Sequence, residues 1–448
     1  MALGVFVIAN DITAMNVAVP AIEKDFGTST TTVQWVVNAY SLSFGVLIVT
    51  GGRLADLFGR REAFFLGAGI FAVFSLLGGL APTEAWLIAA RALMGIGGAL
   101  MWPAILGMTF ALLPAEKAGL AGGLILGIAG IGNAVGPMLG GALTEFASWR
   151  WILFLNVPIA LIAIAVVYML IHQPRPEYTD RRIDYGGIIT VSLGLFIFMI
   201  ALDQVVDLGW GDPRIIAAVV LSMLLLLAFV AAERRAGDHA LVPDDVFGNS
   251  AFRWTCAAIF CMSATFFSAL FFLPQYMQKE FGYSAFESGL GLLPFMAVFA
   301  LTSFIAGPLY NRAGGKLIIS VGSACIAAGP FLLALGIRSG GDLLSVVPGM
   351  AVLGVGIGLF YSSATTIAVT SVDDSRSSLA GGIIYMFQIA GGSVGLALTT
   401  TIFASQSGLI SGLHAGFRFN SALALIGFLI TLAFVGGRFR SRRKKIQA

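Results

Sequence analysis

Long apolar runs separated by short polar loops recur along the whole chain. A helix needs about 20 mostly apolar residues to cross a bilayer, and fourteen runs approach or exceed that length. The runs cover residues 1–22, 33–52, 62–81, 85–108, 118–143, 151–171, 183–203, 213–232, 252–274, 286–308, 316–336, 344–367, 378–403 and 417–437. Polar and apolar positions do not alternate within them, which argues against a transmembrane β-barrel. The pattern predicts an all-α integral membrane protein with fourteen transmembrane helices.

Composition supports this prediction. Hydrophobic residues make up 58% of the 448 residues and charged residues only 11%, whereas soluble domains carry roughly 25% charged residues. So few charges cannot cover the surface of a soluble protein of this size. The same numbers exclude a disordered chain and a nucleic-acid-binding protein. The cysteines Cys256, Cys261 and Cys325 lie in apolar runs, where they are expected to act as small apolar side chains.

Basic residues are concentrated in alternate loops. If the N-terminus faces the cytoplasm, 19 of the 26 lysines and arginines fall on the cytoplasmic side and 6 on the outer side, with Arg91 inside a span. Cytoplasmic loops of membrane proteins carry such an excess. We therefore expect a multi-pass protein of the cell membrane with both termini in the cytoplasm. The basic tail, residues 438–448, is expected to lie near anionic lipid headgroups.

Two short motifs each occur twice in the chain, and their copies are separated by nearly the same number of residues. Residues 52–61 and 307–316 both fit the pattern G-x-L-x-[DN]-x-x-G-x-[RK], and residues 120–123 and 379–382 both read Leu-Ala-Gly-Gly. These matches predict two related halves of six spans, with a cavity between them and a substrate site near the middle of the membrane. The remaining spans, 183–203 and 213–232, carry no charge in their interiors.

The duplication predicts four parts of the chain. They are a six-helix bundle at 1–171, two extra helices with their linkers at 172–250, a second six-helix bundle at 251–437, and the basic tail at 438–448.

Several motifs resemble those of a known family. Residues 10–20 (NDITAMNVAVP) are similar to L-D-x-T-I-V-N-V-A-L-P, and residues 91–99 (RALMGIGGA) are similar to R-x-x-Q-G-x-G-A-A. The fifth span carries Gly123, Gly132, Gly136, Pro137, Gly140 and Gly141 at the spacing of an antiporter motif. With the 52–61 loop, these motifs resemble the major facilitator superfamily, and within it the 14-span drug:proton antiporters of the EmrB/QacA type. Leu57, Met94 and Asn10 depart from the usual pattern.

The resemblance implies a major facilitator fold and a proton-coupled antiporter that exports lipophilic or cationic drugs by alternating access. It implies no cofactor, a proton gradient as the energy source, and a monomer whose partners are the lipophilic substrate, protons and the bilayer. A narrow exporter of one antibiotic, metabolite or lipid is the first alternative. A polytopic membrane enzyme is less favoured, because His172, His239 and His414 all fall in loops.

Asp11 and Arg91 are the candidates for proton and substrate coupling. Asp11 lies in the middle of an apolar run, where an unpaired charge costs roughly 2.5–3.5 kcal/mol on insertion scales. Apolar surroundings favour the protonated carboxyl, and a cationic drug could compete for the same group. The alternative for Asp11 is a structural hydrogen bond to Thr13 or Asn16. Arg91 stays charged, and its alternative is to extend toward the outer interface.

Gly52, Asp56, Gly59, Arg60 and Arg61 form a candidate cytoplasmic gate. A carboxylate in this tight turn can cap the N-terminus of a neighbouring helix, and the charges can hold the cytoplasmic side closed. The alternative is that the arginines only orient the span.

The span-five glycines and Pro137 predict a hinge or a close seal between helices, with ordinary Gly-x-x-x-Gly packing as the alternative. Phe267, Phe271 and Gln388 are candidates to line the cavity.

Overall fold

The computed structural model describes residues 1–28, 30–171, 184–237 and 240–435. The described residues are almost entirely helical and contain no β-strand. The α-helices are α1 (Ala2–Phe26), α2 (Thr30–Phe58), α3 (Arg60–Gly79), α4 (Glu84–Leu112), α5 (Ala118–Phe146), α6 (Arg150–Leu170), α7 (Tyr185–Leu208), α8 (Pro213–Ala236), α9 (Asp244–Gly248), α10 (Ser250–Phe281), α11 (Ala285–Gly291), α12 (Leu293–Ala313), α13 (Gly315–Gly336), α14 (Leu343–Thr370), α15 (Ser377–Ala404) and α16 (Leu409–Phe434). The predicted tail at 438–448 and the whole of the linker at 172–183 lie outside the described residues.

Fourteen of these helices are long and apolar enough to cross a membrane, which confirms the predicted number of spans. The tenth predicted span, 286–308, is divided into α11 and α12. Pro294, near the start of α12, lacks the N–H that would continue the earlier helix. The seventh span is longer than predicted, because α7 continues to Leu208. Asp203 therefore lies inside a helix whose interior was expected to carry no charge.

Two corresponding turns show that the two halves of the chain are alike. A single glycine with positive φ joins α2 to α3 at Gly59 (φ 113°) and α12 to α13 at Gly314 (φ 88°). A side chain is strained in that region of backbone space, so glycine suits both turns. These two turns lie on the membrane face at which α1 begins, which we call the first face; the other is the second face.

The halves meet along two helix crossings. α2 of the first half packs on α15 of the second, and α5 of the first packs on α12 of the second. At the first face, a Cβ added to Gly52 would lie 2.6 Å from the Ser378 carbonyl oxygen. One added to Gly307 would lie 2.6 Å from the Gly119 carbonyl oxygen. These two close approaches thus use equivalent glycines, as expected for a duplicated chain.

The extra helices α7 and α8 pack against each other and bridge the halves. α7 contacts both α2 and α15. The Asn38 side chain on α2 donates a hydrogen bond to Asp203 (2.8 Å). Trp210, which follows α7, donates to Thr401 on α15 (2.9 Å). The hairpin is therefore anchored to both halves beside one of their two crossings.

Candidate functional site

Asp11 and Arg91 form an ion pair inside the first half. Arg91 Nη1 lies 2.5 Å from Asp11 Oδ2, and both side chains are fully buried. Asp11 comes from α1 and Arg91 from α4, so the pair joins the two helices. Arg91 does not extend to the membrane surface, and neither Thr13 nor Asn16 holds Asp11, because both bond to carbonyl oxygens of α1. Each charge is instead compensated by the other, as a buried charge requires.

A polar network surrounds the pair. Asn156 on α6 donates to Asp11 Oδ1 (2.8 Å) and to the Ser75 hydroxyl on α3 (3.2 Å). Arg91 Nε donates to the Val36 carbonyl oxygen (3.0 Å), and the guanidinium lies 4.5 Å from the ring centre of Tyr40. Helices α1, α2, α3, α4 and α6 thus all contribute to one buried cluster.

The sequence pointed to the two charges but not to their neighbours. Asn156 lies in the segment Asn-Val-Pro at 156–158, a pattern that is typical of the resembled family. This pattern is the sequence signal by which Asn156 could have been identified. Ser75 and Tyr40 are an ordinary serine and tyrosine within apolar runs, and only the fold brings them to Asp11.

A second polar cluster joins the halves at the first face. Asp56 accepts hydrogen bonds from the backbone N–H groups of Ser378 (3.3 Å) and Leu379 (2.8 Å), in the first turn of α15. Arg60 Nε lies 3.0 Å from Asp56 Oδ1. A carboxylate at a helix N-terminus satisfies free N–H groups and complements the helix dipole. We call Asp56, Arg60 and the first turn of α15 the latch.

Arg60 also donates hydrogen bonds to both halves of the protein. It donates to the Gly107 carbonyl oxygen on α4 (3.1 Å) and to the carbonyl oxygen of Asp374, just before α15. In the same region, Gly52 packs closely against Ser378, and Gly59 forms the turn between α2 and α3. Arg61 does not join it. Arg61 donates to the Tyr168 carbonyl oxygen near the end of α6 (3.1 Å), within its own half.

The glycines of α5 face two different partners. Gly132, Gly136 and Gly140 face α1, where Cβ atoms would lie within 2.9 Å of Ala9 Cβ, the Asn10 carbonyl oxygen and Ala14 Cα. This face of α5 packs against the segment of α1 that carries Asp11.

The other face of α5 meets the second half. A Cβ on Gly123 would lie 2.7 Å from the Ser303 carbonyl oxygen on α12, and one on Gly141 would lie 2.8 Å from the Phe286 ring on α11. Pro137 lies against Gly289 of α11. α5 thus contacts both the ion-pair helix and the opposite half.

A cavity lies where the halves meet, toward the first face. Its lining comprises Trp102, Leu106, Leu126, Ile259, Tyr361, Thr365, Gly381, Ile384, Tyr385 and Gln388. Gln388 is therefore at the cavity, whereas Phe267 and Phe271 are not among its lining residues. Phe267 packs against Gly392, and Phe271 is 45% exposed.

A chain of aromatic contacts connects the ion pair to the cavity. Beyond Tyr40, the ring of Phe44 is stacked at 5.8 Å, and Tyr385 meets Phe44 edge-on at 5.4 Å. Tyr385 lies 4.6 Å from Trp102. Arg91 and Trp102 are both on α4, about 16 Å apart along its axis at about 1.5 Å per residue. The ion pair and the cavity are separate sites joined by packed side chains.

Two like helical halves, latched together at one face around a cavity, define a membrane transporter with an internal repeat. The chain belongs to the Major Facilitator Superfamily, whose sequence model matches residues 1–396 and again residues 255–448. The predicted family and fold class are thereby confirmed, and the protein is a transporter of this superfamily and not an enzyme.

The comparisons also give individual relatives. The chain is 34% identical to the puromycin resistance protein pur8 of Streptomyces alboniger, over 95% of this chain and 85% of that protein. It is 32% identical to the cephamycin export protein CmcT of Amycolatopsis lactamdurans, over 89% and 83% of the two chains. The crystal structure of the human organic anion transporter MFSD10 (TETRAN) shares the fold, with a TM-score of 0.67 and 15% identity over 96% and 97% of the chains.

Proposed function

We propose that the protein exports lipophilic small molecules from the cytoplasm in exchange for protons, by alternating access. The observation that carries the proposal is the buried pair of Asp11 and Arg91. A proton on Asp11 would cancel the charge that compensates Arg91, and a buried arginine without a counter-charge is strongly unfavourable. Protonation would therefore favour another packing of α1 and α4, which is how a proton could drive a conformational change.

The latch supports alternating access. It holds the first face closed through hydrogen bonds between residues of different halves. A change in the packing of α1 reaches the opposite half through α5, because the glycines of α5 contact both. The same rearrangement can then open the latch and expose the cavity at the first face.

Direction and topology complete the proposal. The first face is the cytoplasmic face, because the loops there carry the excess of lysine and arginine, and both termini lie on that side of the cell membrane. The chain acts as a monomer of two six-helix bundles, 1–171 and 251–437, with the hairpin between them. No cofactor takes part, and the proton gradient supplies the energy.

A narrower exporter is the second candidate function. The names of two relatives each specify a single antibiotic, one for puromycin resistance and one for cephamycin export. Such a protein would use the same coupling and latch but accept one compound.

The proposal can be tested with purified protein in liposomes that carry a pH-sensitive dye in the lumen. A set of lipophilic probes, including uncharged Nile red and cationic ethidium, is added under an imposed proton gradient. Substrate-dependent proton movement, abolished by a protonophore, is the expected result. Transport that persists without any proton movement would overturn the proton coupling. Transport of one compound out of a wide panel would favour the narrow exporter.

A further inference from the structure

The cavity between the halves carries no formally charged side chain. Its ten lining residues comprise aromatic and aliphatic side chains, glycine, Thr365 and Gln388. Asp11, the carboxylate expected to attract a cationic drug, is fully buried against Arg91 instead. Removing a cation from water into a site without a counter-charge is costly. The lining is thus better suited to an uncharged molecule.

The lining of the cavity is rich in aromatic side chains. Trp102 and Tyr385 lie with ring centres 4.6 Å apart, and Tyr361 contributes a third aromatic side chain to the lining. Aromatic rings pack favourably against other rings in stacked or edge-on arrangements. Leu106, Ile259 and the other aliphatic residues add apolar contact.

Trp102 supplies a hydrogen-bond donor that nothing in the described chain uses. The side chain is 3% exposed, and its Nε1–H is buried without a hydrogen-bond partner among the described residues. The Tyr361 hydroxyl differs, because it is already bonded to Ser263 (2.9 Å). An indole nitrogen can only donate, and a buried donor is unfavourable until an acceptor satisfies it. A quaternary ammonium offers no such acceptor.

We propose that the cavity selects an uncharged aromatic compound whose carbonyl or hydroxyl oxygen accepts a hydrogen bond from Trp102 Nε1. This inference rests on the proposed export function and specifies its substrate class. Trp102 acts as a specificity residue that orients the oxygen, while Tyr385 and Tyr361 contact the rings. The tyrosine and tryptophan faces could also attract a cation, and the experiment therefore compares the two kinds of probe directly.

The probes are Nile red, which is planar, uncharged and carries a carbonyl oxygen, and ethidium, which is planar and permanently cationic. Initial rates are measured in liposomes under a proton gradient. The variant Trp102→Phe keeps an aromatic ring but removes the N–H. Trp254→Phe makes the same change outside the cavity, on α10, and serves as the matched control. Thermal unfolding of both purified variants verifies that they fold.

We expect the wild-type protein to transport Nile red with a lower KM than ethidium. Trp102→Phe should raise the KM for Nile red about three- to tenfold, the range that loss of one neutral hydrogen bond gives, with kcat nearly unchanged. Trp254→Phe should leave the KM at the wild-type value. Because an uncharged substrate exchanged for protons moves net charge, Nile red transport should also respond to a potassium diffusion potential.

The results distinguish a failure of the proposed substrate class from a failure of the proposed export function on which it rests. Proton-coupled transport of ethidium without transport of Nile red would overturn the inference and leave the antiport function intact. An unchanged KM for Nile red in a folded Trp102→Phe variant would also overturn it. Absence of gradient-driven transport for every lipophilic probe would overturn the proposed function, and the inference with it.

Discussion

Asp11 and Arg91 compensate each other in a place where neither charge is stable alone. The two side chains have no solvent exposure, and Asn156 satisfies the second carboxylate oxygen. Removing one partner of a buried pair typically costs 3–5 kcal/mol, because the other charge remains buried. A change at Asp11 is therefore expected to affect stability as well as the proposed proton exchange.

We expect Asp11→Asn to abolish gradient-driven efflux, because a carboxamide cannot carry the exchanged proton. The variant should also lose about 3 kcal/mol of stability, since Arg91 is left without its counter-charge. Efflux rates in liposomes and thermal unfolding measure the two effects. The double variant Asp11→Asn with Arg91→Gln should recover much of the stability but not the transport. Wild-type efflux by Asp11→Asn would remove this residue from the coupling mechanism.

Lys316 has a structural role that the repeated loop motif did not reveal. Its ammonium group donates to the carbonyl oxygens of Thr431 (3.0 Å), Leu432 (2.6 Å) and Val435 (2.7 Å) at the end of α16. Arg61, its counterpart in the first loop, bonds a carbonyl oxygen near the end of α6. In each half, the last basic residue of the motif thus holds the end of that half's sixth span.

Lys316→Met should lower the stability of the second half by at least about 2 kcal/mol, since the ammonium group makes three hydrogen bonds and even one bond from a charged donor contributes about 1.5–3 kcal/mol. The midpoint of thermal unfolding measures this loss. Lys24→Met, at an exposed lysine, removes the same charge and should leave the midpoint nearly unchanged. Equal midpoints for the two variants would contradict the role assigned to Lys316.

At the scale of a helix, α5 is the element that links the ion pair to the opposite half. One face of α5 packs against α1 through Gly132, Gly136 and Gly140, and the other packs against α11 and α12 through Gly141 and Gly123. Small residues allow helix backbones to approach closely in a membrane. A side chain on either face would separate helices that pack closely together.

Gly136→Leu should abolish export while leaving an inserted protein. A Cβ at this position would already lie 2.9 Å from the Asn10 carbonyl oxygen, beside Asp11. Vesicles with this variant should show either no antiport or a faster collapse of the proton gradient.

Gly69→Leu is the matched control, because a Cβ on Gly69 of α3 meets no atom within 4 Å. It adds the same bulk to a helix and should export normally. Normal substrate-driven proton movement by Gly136→Leu would show that the glycine motif is needed only for ordinary packing.

At the scale of the whole molecule, the structure is the state in which the first face is closed. The halves approach at Gly52 against Ser378 and at Gly307 against Gly119. Only the first of these crossings carries the charged latch, since Asn311 stands in the second loop where Asp56 stands in the first. The balance between open and closed states should therefore depend mainly on Asp56.

Asp56→Asn should lower kcat several-fold with little change in KM, because the latch lies apart from the cavity. The substitution removes the ion pair with Arg60 and the negative charge at the N-terminus of α15, and the latter alone contributes up to about 2 kcal/mol when partly buried. Kinetics in liposomes measure both constants. Asp373→Asn, which alters an exposed carboxylate on the same face, should behave like the wild type. Weak binding with a normal maximal rate would contradict the latch.

The sequence by itself determined the class of protein and the arrangement of its spans in two repeated halves. Fourteen spans, two repeated halves and the family follow from the length of apolar runs and from short motifs, which are local properties of the chain. It also pointed to Asp11, Arg91 and Asp56, because a charge is conspicuous in an apolar run or a tight turn.

Only the tertiary structure decided how these residues are used. A transmembrane helix is apolar on most of its faces, so periodicity does not reveal its rotation or its neighbours. The pairing of Asp11 with Arg91 and Asn156, and the capping of α15 by Asp56, join segments far apart in the chain. The contact of Arg61 with α6 and the position of Phe271 away from the cavity lining follow in the same way. Partners across a membrane bundle are selected by packing, which no single segment encodes.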